Sequence, residues 1–89
     1  MASIREIIIL ELEGCLQDDS LIKQENIFSD DVILFETGLD SLGFAVLVTR
    51  LEMMLGYDPF TLEPNPFYPK TLGEFILIYE KYEKFRKNE

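Results

Sequence analysis

Asp40-Ser41-Leu42-Gly43-Phe44-Ala45-Val46-Leu47-Val48-Thr49-Arg50-Leu51-Glu52-Met53-Met54-Leu55-Gly56 is the stretch that decides the fold. Asp and Ser are favoured helix caps and glycine is the favoured residue just past a helix end, so the two ends predict a helix starting at Asp40 or Ser41 and stopping near Gly56. On a helical wheel at about 100° per residue it has two apolar stripes. Phe44, Leu47, Val48, Leu51 and Leu55 form the wider one, expected to face a core. Leu42, Val46, Thr49 and Met53 form a second, roughly opposite, beginning beside Ser41. Packing in a small monomer needs only one stripe. The other is a candidate partner surface, for which the adaptable Met53 is suited, unless the preceding segment folds over it.

Upstream, Ser3 and Glu6 have capping-box spacing, and Ile4, Ile7, Ile8, Leu12, Cys15 and Leu16 make the apolar face of a first helix. From Gln17 to Asp40 the periodicity lapses. Leu21, Ile22, Ile27, Phe28, Ile33, Leu34 and Phe35 are expected to pin this long loop to the core, and a loop of more than about 15 residues in so small a domain points to function. Downstream, Asp58-Pro59 and Glu63-Pro64-Asn65-Pro66 allow at most a short helical turn. Phe60, Phe67 and Tyr68 either close the core, the reading favoured here, or line a cleft. Thr71 and Glu74 repeat the capping-box spacing ahead of Leu72, Phe75, Ile76, Tyr79 and Tyr82, with Lys81, Lys84, Arg86 and Lys87 near the end of that helix. The expected architecture is all-α: a small up-and-down bundle of three long helices and a possible short extra one, in a single domain over residues 1–89.

Composition narrows the function. With no histidine, the Ser-His-Asp and Cys-His arrangements are absent, so an enzyme with its own catalytic set is not expected. The single Cys15, read as a small buried hydrophobe, excludes an internal disulfide and a multi-thiolate metal site and points to a reducing, cytoplasmic setting. The Asp-rich loop lacks the ligand spacing of a calcium-binding loop. Before residue 70, thirteen carboxylates face only Arg5, Lys23 and Arg50. That excess disfavours nucleic acid and anionic membrane surfaces as partners, and the longest apolar runs are too short to insert in a bilayer.

Asp40 and Ser41 taken alone read as plain caps. With Phe35-Glu36-x-Gly38-Leu39 before them, Leu42 and a helix carrying Leu51-Glu52 and Leu55-Gly56 after them, the chain resembles the acyl carrier protein family over essentially its whole length. The resemblance implies a phosphopantetheine arm, derived from coenzyme A, on Ser41 of the Asp40-Ser41-Leu42 triplet. It also implies a monomer that carries acyl or aminoacyl thioesters. Its partners would be a phosphopantetheinyl transferase, an acyl- or aminoacyl-loading enzyme and a downstream acyltransferase or synthase, docking at Asp40, Leu42, Val46, Thr49 and Met53. In two respects the sequence departs from the family's commonest pattern: Gly43 stands where an acid often follows the triplet, and the proline-rich 58–69 segment stands in place of the usual short third helix. The helix is less acidic than expected for a housekeeping fatty-acid carrier, which favours a specialised pathway. An interaction module that keeps the fold but is never modified is the alternative.

Overall fold

In the computed structural model, residues 3–15 and 29–87 are described. Ser3 opens the first helix, α1 (Ile4–Cys15), its hydroxyl accepting from the Glu6 amide at 3.1 Å, and Ile4, Ile7, Ile8 and Leu12 are buried as their spacing predicts. Cys15 is half-buried at the end of α1, packed against the core rather than enclosed in it. Asp40 caps the second helix, α2 (Ser41–Leu55), which ends at Gly56 with φ +87°, a left-handed conformation natural to glycine. Asp58 caps a one-turn helix, α3 (Pro59–Leu62), with proline at its first position. The last, α4 (Leu72–Lys81), opens on a complete capping box: Thr71 Oγ1 accepts from the Glu74 amide at 3.1 Å, and Glu74 Oε1 accepts from the Thr71 amide at 3.3 Å.

The three longer helices share one core. Ile4, Ile8 and Leu12 of α1 meet Leu47, Leu51 and Leu55 of α2 and Leu72, Phe75, Ile76 and Tyr79 of α4. Each fully buried aliphatic side chain contributes about 1.5–3 kcal/mol relative to exposure, which makes this seam the main source of stability. Beside it the Tyr57 hydroxyl donates to the Tyr79 carbonyl at 2.6 Å, and burial pushes that phenol up to about 12, so it stays a donor. The expected all-α class holds: among the described residues the extended pairing is a single antiparallel bridge, Ile33 with Thr71. No helix among these residues is long and apolar enough to cross a membrane.

The described part of the long loop leads directly to the start of α2. Leu34 donates its amide to the Lys70 carbonyl at 3.0 Å, and the Leu72 amide donates to the Val32 carbonyl at 2.9 Å, tying the loop to the entry of α4. A short 3-10 turn (Leu34–Glu36) follows, with the Thr37 hydroxyl donating to the Leu34 carbonyl at 2.6 Å. Of the side chains expected to pin this loop, Leu34 is buried and Ile33 half-buried, but Phe35 is exposed and reaches the Phe44 ring instead of the core. Leu21, Ile22, Ile27 and Phe28 lie outside the described residues. The C-terminal cations lie near the end of α4 as expected, one of them within it. Lys81 lies in the last turn of α4 but pairs with Glu63 at 2.7 Å, while Lys84, Arg86 and Lys87 lie beyond the helix.

Candidate functional site

Gly38 has φ +99°, a turn few other residues tolerate, and it delivers the chain to Asp40 at the head of α2. Asp40 Oδ1 accepts from the Gly43 amide at 2.7 Å, and its carbonyl accepts from the Phe44 amide at 2.8 Å. The carboxylate is thereby committed to the cap. Ser41 follows as the first helical residue, with its side chain exposed. The amides of Ser41 and Leu42 come too early in α2 to find an acceptor within it, and the positive end of the helix dipole lies there.

Two surfaces diverge from Ser41. One is the second apolar stripe: Leu42, Val46 and Met53 are 73%, 41% and 80% exposed. Leu42 and Val46 also edge a shallow hollow towards α1, bordered by Cys15, Asp40, Gly43 and Arg50. Arg50 is committed here, its Nε donating to Glu11 Oε1 at 2.6 Å. Thr49, assigned by its wheel position to this stripe, also belongs to the other surface.

That other surface is an apolar groove of about 560 Å³ with Ser41 in its lining. Along one edge run Ser41, Ala45 and Thr49, all exposed and placed one above the other by their four-residue spacing. Thr49 Oγ1 donates to the Ala45 carbonyl at 2.9 Å, so its hydroxyl is satisfied within the helix. The walls are Phe35, Phe44, Phe60, Phe67 and Tyr68, with Val48 and Pro69 between them. Phe44 and Val48, expected in the core, are half-buried because they border this groove. The core reading of Phe60, Phe67 and Tyr68 holds for the first two, which pack against the core and also line the groove, and is corrected for Tyr68. Phe60 and Phe67 are half-buried against the core and Tyr68 is 86% exposed, so the proline-rich segment both covers the core and forms one side of the groove beside α2.

Rigid neighbours hold the wall. Phe60 meets Phe44 and Tyr79 edge-on, with ring centroids 6.1 and 6.0 Å apart, and Phe67 stacks on Phe60 at 6.4 Å. At the start of the segment, Glu63 Oε2 accepts from Lys81 Nζ and from the Tyr82 hydroxyl, contacts that hold its carboxyl below the ordinary carboxylate range. Sequence reasoning missed the groove as a unit. Its signal was the small-residue row 41, 45, 49 lying between the two stripes, together with the cluster of aromatics at 60, 67 and 68. No family model, curated protein or solved structure matches the chain.

Proposed function

We propose that this domain is an acyl-carrier-type protein that bears a phosphopantetheine arm on Ser41 and hands thioester-bound acyl or aminoacyl groups between enzymes of a specialised biosynthetic pathway. The observation that carries the reading is the placement of Ser41. It is exposed, first in its helix, preceded by the Gly38 turn and set at the edge of an apolar groove. The residues present suit the arm: the hydroxyl is reachable, the Asp40 carboxylate is held away by its bond to the Gly43 amide, and the amides at the head of α2 favour a phosphodiester. Attachment forms a bond from Ser41 Oγ to phosphorus as the phosphoanhydride of coenzyme A breaks. Adenosine bisphosphate leaves and the serine proton passes to solvent or a base of the transferase. When attached, the arm supplies the thiol that holds the cargo.

In this reading the chain's own residues bind and orient; the chemistry belongs to partners. Those are a phosphopantetheinyl transferase, a loading enzyme and a downstream acyltransferase or synthase, meeting Asp40, Leu42, Val46 and Met53 on the outer side of α2. The exposure of Leu42 and Met53 also favours the second reading, an unmodified interaction module with the same docking face. One experiment separates them. Incubation with coenzyme A and a broad-specificity transferase should add the mass of one phosphopantetheine to the native chain and none to Ser41→Ala, with both showing the same helical circular dichroism. An unmodified native chain, or an arm on Ser20 or Ser29, would sink the carrier reading.

A further inference from the structure

Groove and arm are of opposite character. The pantetheine arm is rich in amide and hydroxyl groups, whereas the groove is mainly apolar: its polar side chains are Ser41, Thr49 and Tyr68, and the Thr49 hydroxyl is already bonded to Ala45. Burying amides there without partners is unfavourable. An apolar group at the end of the arm is the better occupant.

The lining further restricts which apolar group. Leucine, isoleucine and methionine, whose side chains adjust to flexible alkyl chains, are plentiful in the core and on the outer stripe but absent from the groove. Its walls are rings held in fixed mutual orientation: Phe44 edge-on to Phe60 at 65° and Phe67 nearly parallel to Phe60 at 22°. One edge, Ser41, Ala45 and Thr49, carries only small side chains and spans about 12 Å of helix. Fixed rings beside an edge of small side chains suit another flat ring, which continues the edge-to-face pattern and gains from quadrupole complementarity beyond the area it buries.

Resting on the carrier reading above, we infer that the groove holds a short acyl group ending in an aromatic ring, in preference to a linear alkyl chain of equal carbon number. An indifferent apolar surface would show the reverse order, because the alkyl chain carries more flexible apolar area to bury.

The test uses the full chain loaded from phenylpropanoyl-coenzyme A or nonanoyl-coenzyme A by a broad-specificity transferase. Cleavage of each thioester by hydroxylamine is timed, and backbone amide shifts are recorded against the unacylated form. The phenylpropanoyl thioester should be cleaved roughly two- to tenfold more slowly, the range one added ring pair supplies. Its amide shifts should centre on Ala45, Val48, Thr49 and Phe67. Ala45→Leu, which fills the small-residue edge, should abolish the difference, and Phe67→Leu, which keeps an apolar wall but removes a ring, should reduce it even if Ala45→Leu fails to fold. Equal cleavage, stronger protection of the nonanoyl form, or shifts centred on Leu42, Val46 and Met53 would overturn the inference and leave the carrier reading standing. A chain that accepts neither arm would overturn both.

Discussion

The two flanks of α2 are built from different materials and reach different ends. Towards α1 and α4, Leu47, Leu51 and Leu55 interlock with Ile4, Ile8 and Leu12 and leave nothing exposed. Towards α3 and the proline-rich segment, Phe44 and Val48 meet rings that stop short of closing, because Pro64, Pro66 and Pro69 prevent the chain from coiling down as a helix that would fill the gap. Branched aliphatic side chains at helical spacing interdigitate; rigid rings on an extended segment lean on one another and leave a channel. One flank supplies stability and the other a container, so substitutions should separate the two.

The largest expected contrast is between Leu51→Ala and Phe67→Ala. Loss of Leu51 leaves a cavity in the closed flank and should cost about 2–5 kcal/mol in urea unfolding. Half-buried Phe67 should cost on the order of 1 kcal/mol, yet alter the groove far more. Similar losses for both would erase the distinction. Next, Val46→Asp and Met53→Asp lie on neither flank and should leave the fold intact while, under the proposed carrier function, slowing loading by a cognate enzyme, an effect worth more than about 1 kcal/mol if they anchor the interface. Unfolding of either variant would show the stripe to be core, and wild-type loading by both would show that partners dock elsewhere.

A smaller effect is expected at the foot of the groove wall. The Glu63 carboxyl titrates lower in the folded chain than unfolded, first through its bond from Lys81 and then through that from Tyr82. Its contribution is complete above the ordinary carboxylate value and is lost as pH falls through the lowered one. Glu63→Gln should flatten that part of the acid limb of a melting curve and speed amide exchange at Phe67 and Tyr68 without touching the α1–α2 seam. An unchanged exchange pattern would mean that the stacked rings alone hold the wall. Smallest of all is Tyr79→Phe. The Tyr79 hydroxyl is buried without a hydrogen-bond partner among the described residues, so its removal should leave the melting temperature unchanged or slightly raised. A marked fall would reveal a partner for that hydroxyl.

The closed flank was legible in the sequence and the open one was not, for a physical reason. Leu47, Leu51 and Leu55 recur at helical spacing and Thr71-x-x-Glu74 states its own hydrogen bonds, so their burial and capping follow from local pattern. The exposure of Leu42, Val46 and Met53 also followed from the wheel. The groove depends on where an extended segment lies relative to a helix some twenty residues earlier, and no periodicity encodes that. Phe60 and Phe67 therefore look like core in the sequence, and they do pack against it, but their second role as groove lining is not visible there. Thr49 sits on the border of stripe and groove, and wheel position alone could not assign it to both.

The far end of α2 has a practical consequence. There the Lys87 amide donates to the Leu55 carbonyl at 2.9 Å, and the Lys87 side chain lies across Gly56 so closely that an added Cβ would come within 2.4 Å of it. The last described residue is thus moored to the pole of α2 opposite Ser41, about 20 Å away along the helix. A fluorescent reporter or a surface tether joined at Lys87 would sit at the opposite pole and keep the Ser41 end free for titration against candidate enzymes in solution or on a chip.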